Sequence, residues 1–431
     1  MNFIFQTNRK ESIDAFTATK YTQYRKINME LLIKNVTIID HDKNIYGDVF
    51  IQNGKIKDIQ SSISKDCKTV DGMGLILMPS FIDLHAHFRD PGYTYKEDIK
   101  SGSMAAVKGG YTYVSLMANT NPVCSDMETV RYVAAQAEKI GLIDIHQCIS
   151  ITQGMDGKTL SHLNSIETDL VKMISDDGKG ITSNMTMYKA MTIAKEMGLI
   201  VNSHVEDKEI AEKDSRLSEN IMTIRDIELA KVTGCRLHID HVSTSQAIQA
   251  IVQTKQKGYN NITCEVTPHH IFLTDDTDYK VNPPLRKKED VTDLINALKY
   301  GFVDAIATDH APHSQEDKQK GAPGISGIET SFSVCYTALV ETGYITLNKL
   351  SELMSKTPAK IMGLCKGEIK IGNDADLVLV DIKKELIVNP DTFLSKGKNS
   401  PLKGRKLSGE VCMTFKEGKI VYEKEMQNHD N

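Results

Sequence analysis

From about residue 75 to 365, short apolar runs alternate with segments of helical periodicity, and this alternation most constrains what the chain can fold into. The apolar runs are Leu77–Asp83, Thr112–Met117, Asp144–Ile151, Val171–Ile174, Leu199–Ser203, Cys235–Asp240, Asn261–Val266 and Val303–Ala307. Amphipathic stretches such as Met127–Ile140, Met185–Met197, Ser245–Lys257 and Asp290–Lys299 lie between them. Continuous apolar strands separated by amphipathic helices imply a parallel sheet covered on both faces. Eight such units predict an α/β fold, a (β/α)8 TIM-like barrel.

The two ends of the chain have a different character. Leu31–Ile39, Asp48–Gln52, Lys55–Ile59 and Cys67–Val70 read as short strands, with Asn53-Gly54 as a hairpin signal. Asp376–Asp381, Val411–Phe415 and Lys419–Tyr422 repeat the pattern near the C-terminus. The expectation is a small β-sandwich domain built from residues 29–74 and 370–431, bracketing the barrel at 75–369. Residues 1–28 are polar and unpatterned and read as a disordered extension, with Met29 as the natural start.

What ends each strand carries the functional information. The first run leads into Phe81-Ile82-Asp83-Leu84-His85-Ala86-His87-Phe88-Arg89-Asp90-Pro91-Gly92. In extended backbone alternate side chains share a face, so His85, His87 and Arg89 project together while Leu84, Ala86 and Phe88 face the other way. Six of the other seven runs end in Asn119, in Asp176-Asp177-Gly178, in His204, in His241, in His269-His270 and in Asp309. In a barrel these tips form one ring at the carboxyl face, where catalysis occurs.

His85, His87, Asp177, His204, His241 and Asp309 are the candidate ligands. Histidine with carboxylate suits a borderline divalent ion such as Zn²⁺. Six ligands exceed what one tetrahedral zinc requires, so two zinc ions per subunit are expected, bridged by a carboxylate and a hydroxide. Asp309 can then ligate and also act as general acid/base. Each position has a plainer reading beside it. Asp177-Gly178 is an ordinary turn signal, and His204 could be a core histidine bonded to backbone. His238 competes with His241, whose place at the strand end favours it. His269 and His270 can serve equally as groups that orient the ligands. The charged stretch from Ser314 to Lys320 reads either as a mobile lid or as a solvated loop.

Composition narrows the partners. A net charge of −5 over 431 residues, with no basic block, argues against nucleic acid and membrane surfaces. No apolar run is long enough to span a bilayer. Eight scattered cysteines without a C-x-x-C pair fit reduced thiols and a cytoplasmic protein, and argue against a cysteine zinc site.

The motifs resemble the bacterial type I dihydroorotases of the amidohydrolase superfamily, over roughly residues 30 to 425. They are Asp83–Gly92, Asn119-Thr120-Asn121-Pro122, Ser175–Gly178, Thr267-Pro268-His269-His270, Asn282-Pro283-Pro284-Leu285-Arg286, Ala307–His313 and Phe393–Asn399. The resemblance implies a zinc-dependent cyclic amide hydrolase of pyrimidine biosynthesis that interconverts L-dihydroorotate and N-carbamoyl-L-aspartate. It assigns His85, His87 and Asp309 to one zinc, His204 and His241 to the second, and Asp177 to the bridge, where many superfamily relatives carry a carboxylated lysine. Arg89, Asn119 and His313 match binders of the substrate carboxylate, Asn282 a further substrate contact, and the backbone of Pro323 and Gly324 the groups that hold the ring. A homodimer and association with aspartate transcarbamoylase are the assemblies it implies. Ala118 and Pro323 depart from the common proline and aromatic residue, which bears on affinity rather than catalysis. Two other readings stand beside this one. A hydantoinase, dihydropyrimidinase or allantoinase needs no carboxylate anchor such as Arg89. A non-catalytic homologue that stabilises aspartate transcarbamoylase would have lost metal ligands, and all six are present.

Overall fold

The computed structural model describes residues 29–424, so the expected extension at 1–28 lies outside the described residues. Strands from both chain ends build one eight-stranded sheet. The N-terminal contribution is β1 (Glu30–Ile39), β2 (Asn44–Gln52), β3 (Lys55–Gln60), β4 (Lys68–Asp71) and β5 (Ile76–Pro79). β1 pairs antiparallel with β2 along one edge. Along its other edge, its first half pairs in parallel with β4 and its second half with β5. The switch falls at Asn35, whose φ of 58° is one that asparagine tolerates better than most residues. Leu31, Ile33, Val36 and Ile38 pack with Leu377, Leu379 and Phe415 from the C-terminal end to form a separate core.

The apolar run expected as a single strand over Leu77–Asp83 is two strands. Ser80 N–H donates to the Asp376 carbonyl (3.0 Å) and Phe81 N–H to the Gly110 carbonyl (2.9 Å), so the backbone changes partners across one peptide. β5 therefore stays in the terminal sheet, and residues 76–79 pair there rather than with the central strands.

The central strands are β6 (Phe81–Ala86), β7 (Tyr111–Leu116), β8 (Asp144–Gln147), β9 (Met173–Ile174), β10 (Ile200–Ser203), β11 (Arg236–Ile239), β12 (Ile262–Val266) and β13 (Ala305–Ile306). All eight expected runs contain a strand, although regular pairing in the third ends at Gln147 rather than Ile151. β6–β7–β8 form one parallel sheet and β9 to β13 another, each in sequence order. Isolated parallel bridges, Ile149 with Ile174 and Ala86 with His310, join the two at both edges. The C-terminal strands β14 (Leu377–Ile387), β15 (Lys406–Lys416) and β16 (Lys419–Glu423) return to the terminal sheet, where β14 pairs with β5.

Every residue of β6 and β7 is buried, the polar Asp83, His85, Thr112 and Ser115 included, because helices cover one face and the interior fills the other. The helices are sharply begun. Asp126, Ser183 and Thr244 cap Met127–Ile140, Asn184–Met197 and Ser245–Gln256 by accepting from the backbone N–H three residues on. The helix Ile99–Lys108 lies close over Phe88; a Cβ at Gly102 would come within 2.5 Å of that ring. This contact fixes the segment carrying His87 and Arg89. Among the described residues, no helix is long and apolar enough to cross a membrane.

A buried hydrogen-bonded clip closes the seam between the first and eighth central strands. Asp83 accepts from Thr308 N–H (2.9 Å), Thr308 Oγ1–H (2.5 Å) and His85 N–H (3.2 Å). Thr308→Val keeps the shape and removes one donor, leaving a carboxylate oxygen short of a partner. The expected cost is about 1–3 kcal/mol, read as a lower urea midpoint with an unchanged slope.

Candidate functional site

The carboxyl ends of the central strands converge on six side chains. His85 is the fifth residue of β6 and fully buried; His87 follows just beyond the strand, tied down by its N–H donating to the His310 carbonyl (2.9 Å). Asp177 follows β9, His204 follows β10, His241 lies two residues past β11 and Asp309 three past β13. The aspartate at 177 sits at the centre. Its Oδ1 lies 3.5 Å from His85 Nε2, 3.2 Å from His204 Nδ1 and 3.5 Å from His241 Nε2, and its Oδ2 lies 3.5 Å from His87 Nε2. Asp309 Oδ1 lies 3.1 Å from His87 Nε2 and 3.8 Å from His85 Nε2. His204 Nδ1 is 3.0 Å from His241 Nε2. All six candidate ligands are thus brought together.

The outer nitrogens show how the rings are oriented. His85 Nδ1–H donates to Glu265 (2.9 Å), His87 Nδ1–H to Asn119 Oδ1 (2.9 Å) and His204 Nε2–H to Glu206 (3.1 Å). With the proton on the outer nitrogen, the inner lone pair is free to face the cluster. His85 Nε2 is buried there without a hydrogen-bond partner. Imidazoles oriented by carboxylate or amide oxygens, with inner nitrogens converging on carboxylates, are what a divalent metal centre requires. The donor set fits.

The charged groups of the cluster shift one another's protonation. Burial disfavours a charged His204, but Asp177 and Glu206 overcome it and push its pKa up to about 10. Burial likewise opposes charge on Asp177, yet His85, His204 and His241 hold its carboxyl well below the usual range. Asp309 is also held low, against burial, by His87 and His85. A cavity of about 190 Å³ opens above the cluster.

Arg89, Asn119, Asn282, His313, Pro323 and Gly324 all line this cavity, although Arg89 arrives by a different route from the one expected. Regular strand ends at Ala86, and Arg89 has a φ of 61°; the left-handed turn, not strand alternation, carries its guanidinium to the site. There Nη2 lies 3.4 Å from His313 Nε2 and Nε–H donates to the Pro312 carbonyl (3.4 Å). His241 (29°) and Asp309 (44°) share this backbone region, sparsely populated for residues other than glycine. Burial, then the Arg89 charge, drives His313 down to about 3, so its ring is neutral at pH 7. Asn119 does more than line the cavity: it accepts from His87 and its Nδ2–H donates to Asp177 Oδ2 (3.2 Å). Asn282 donates toward Glu206 (3.4 Å). His238 is a satisfied neighbour, as its position inside the strand suggests, bonded to Thr263 (2.8 Å) and Glu265 (3.0 Å).

Sequence reasoning missed Glu265, Asp240 and Glu206. Glu265 bridges His85 and His238 from inside β12, and the signal was present: a lone carboxylate within the apolar run Cys264-Glu265-Val266. Asp240 is buried 3.7 Å from His85 Nδ1, and burial pushes its carboxyl well up. Glu206 stands two residues after His204.

The chain matches the amidohydrolase family over residues 76–421. It is 54% identical to a dihydroorotase of Clostridium botulinum (strain Eklund 17B / Type B) over 399 residues, which cover 92% of this chain and 100% of that one. It is 42% identical to a dihydroorotase of Thermoanaerobacter sp. (strain X514), covering 92% and 98% of the two. Among solved structures it superposes on the L-hydantoinase (dihydropyrimidinase) of Arthrobacter aurescens with a TM-score of 0.83 and 25% identity, covering 92% and 96%. The dihydropyrimidinase of Brevibacillus agri NCHU1002 gives a TM-score of 0.81 at 24% identity, covering 92% and 95%.

The protonation pattern gives a prediction. In chelator-stripped protein, His204 has a folded pKa raised from 6.5 to about 10, so its stabilising contribution is complete below pH 6.5 and is lost as pH rises through 10. The Tm gap between metal-loaded and stripped protein should therefore widen from pH 6.5 to 10. A constant gap in thermal unfolding across that range contradicts it.

Proposed function

The chain belongs to the amidohydrolase family, among its dihydroorotases, and from that premise we propose how its own residues carry out the interconversion of L-dihydroorotate and N-carbamoyl-L-aspartate. The observation that carries the reading is the pairing of Arg89 and His313 in one cavity with the histidine–aspartate cluster (3.4 Å between Nη2 and Nε2). A cyclic imide bearing a carboxylate needs a cation with a planar fork at one end and a hydrolytic centre at the other. Hydantoin and dihydropyrimidine rings lack that carboxylate and give Arg89 no partner.

His85, His87 and Asp309 would hold one zinc ion, His204 and His241 a second, with Asp177 between them. Two facts support this: Asp177 faces residues of both sets, with Oδ1 toward His85, His204 and His241 and Oδ2 toward His87, and the first three residues offer ligand atoms within 4.8 Å of one another. Bound divalent ions would supply Lewis-acid polarisation of the ring carbonyl and a lowered pKa for the attacking water. Asp309, kept ionised by His87 and His85, takes the proton from that water as it adds to the carbonyl carbon. The same carboxyl then hands the proton to the ring nitrogen as the amide bond breaks, and the second proton of the water leaves as the new carboxylic acid ionises, giving a carboxylate and a ureido group. Arg89, with His313 and Asn119, holds the substrate carboxylate throughout, while Asn282 and the backbone at Pro323 and Gly324 hold the ring.

The wider organisation follows the same reading. We take the eight central strands as a closed (β/α)8 barrel, supported by the bridges Ile149–Ile174 and Ala86–His310, with the terminal sheet as a second domain. A cytoplasmic homodimer, able to associate with aspartate transcarbamoylase, is the assembly we propose.

Purified protein loaded with zinc should hydrolyse L-dihydroorotate and leave hydantoin and dihydrouracil intact. Asp309→Asn should lower kcat by roughly 10²–10⁴-fold. Arg89→Gln should instead act on KM, raising it about tenfold or more through loss of a charge-assisted pair. Turnover of the uncharged rings in preference to dihydroorotate would overturn the reading.

A further inference from the structure

We propose that Asn399, far from the cluster in sequence, is a positioning residue for the substrate-binding wall of the cavity. It lies on the strap between β14 and β15, residues 388–405, and does not itself line the cavity. Its carboxamide is fully used. Oδ1 accepts from the His313 backbone N–H (2.9 Å) and from the Ser326 hydroxyl (2.7 Å), while Nδ2–H₂ donates to the carbonyls of Gly324 (2.9 Å) and Ala311 (3.2 Å). An asparagine side chain offers two acceptor lone pairs and two donors, so none is left over. Its own carbonyl accepts from Ser326 N–H (2.8 Å).

These bonds join the two ends of one excursion of the chain. His313 begins it, four residues after Asp309, and Gly324 ends it against the ring-binding side. Between them runs the short helix Gln315–Gln319, whose Lys318 Nζ also donates to the Gly324 carbonyl (3.1 Å). The excursion is closed at its base by Asn399. Gly324 has a φ of 132°, and a Cβ there would come within 2.7 Å of the Ala311 Cβ and 3.4 Å of the His313 ring, so the two ends of the loop lie close together. The side-chain amide sets the register of that contact and hence where the His313 ring meets Arg89.

The strap itself is firmly held. The buried Glu97 carboxylate accepts from the Ser395 hydroxyl and the Lys396 N–H (3.1 Å), and its Oε2 lies 3.4 Å from Nε2 of His310, the residue after Asp309. Glu329 accepts from the N–H groups of Leu394 and Ser395 (3.0 Å each). Gly397 presses on the same loop: a Cβ there would lie 2.5 Å from the Pro312 Cβ and 2.6 Å from Ser326 Oγ. Anchored through Glu97 and Glu329, the strap presents Asn399 as a fixed template for the His313–Gly324 loop.

The inference rests on the reading that Arg89 and His313 hold the substrate carboxylate, and the test separates the two. Steady-state hydrolysis of L-dihydroorotate is measured for the full-length zinc enzyme and for Asn399→Ala, Asn399→Asp and Ser326→Ala, with metal content and Tm. Loss of four bonds in Asn399→Ala should raise KM about tenfold or more, with kcat within about threefold and metal content unchanged. Asn399→Asp, which turns lone pairs toward the Gly324 and Ala311 carbonyls, should be at least as impaired, and Ser326→Ala should raise KM by about threefold. A purely structural role lowers the active fraction, and with it kcat, without moving KM. Wild-type turnover with an unchanged KM in the variants overturns the inference alone. If the Asn399 variants do not fold, Ser326→Ala decides by the same criterion. A wild-type enzyme that leaves dihydroorotate intact overturns the substrate reading and the inference together.

Discussion

One carboxylate, that of Asp177, faces four imidazoles at 3.2–3.5 Å in a largely buried region at the floor of the cavity. Burying so many ionisable groups is costly unless neighbouring charges and hydrogen bonds compensate them. Glu265, Asn119 and Glu206 supply the outer partners of His85, His87 and His204. The outer hydrogen bonds fix which nitrogen is protonated, and so turn the lone pairs inward. The ring of outer oxygens is as much a part of the cluster as the candidate ligands are.

The fold provides the rigidity that such convergence demands. Six candidate ligands from five strand ends meet within a few ångströms, so a slip of one residue in any of those strands would scatter them. The strands carrying His85 and Asp309 are the first and the last, and their junction is the place where slippage would matter most. Asp83 clips them together through Thr308, and the His87–His310 backbone bond extends the seam beyond the last paired residue. At Arg89, His241 and Asp309 the backbone enters the left-handed region, a local cost borne where side chains must be aimed off the strand direction.

Much of this was legible in the residues because two signals coincide: an apolar run marks a buried strand, and a polar residue directly after it marks a functional tip. That pairing singled out His85, His87, Asp177, His204, His241 and Asp309 together. It had less to say where a contact depends on tertiary closure. The break at Ser80 could not be read, because Leu77–Ile82 runs on as one stretch interrupted only by Pro79-Ser80, and what separates the two strands is their pairing partners. Arg89 reaches the cavity for a reason that alternation does not contain, since its φ is set by the turn that follows the strand. Glu265 and Asp240 sit inside or beside apolar runs, where a single charge carries no periodic pattern, and Asn399 meets the site from 90 residues beyond Asp309.

The central claim is that these strand ends form a two-ion metal centre with Asp177 between the ions. Metal analysis by plasma mass spectrometry, on native protein and on Asp177→Ala, with protein quantified independently, tests it most directly. The account predicts two divalent ions per chain in the native protein and loss of at least one in the variant. One ion or fewer per chain after loading with zinc, or an occupancy that the substitution leaves unchanged, would contradict it.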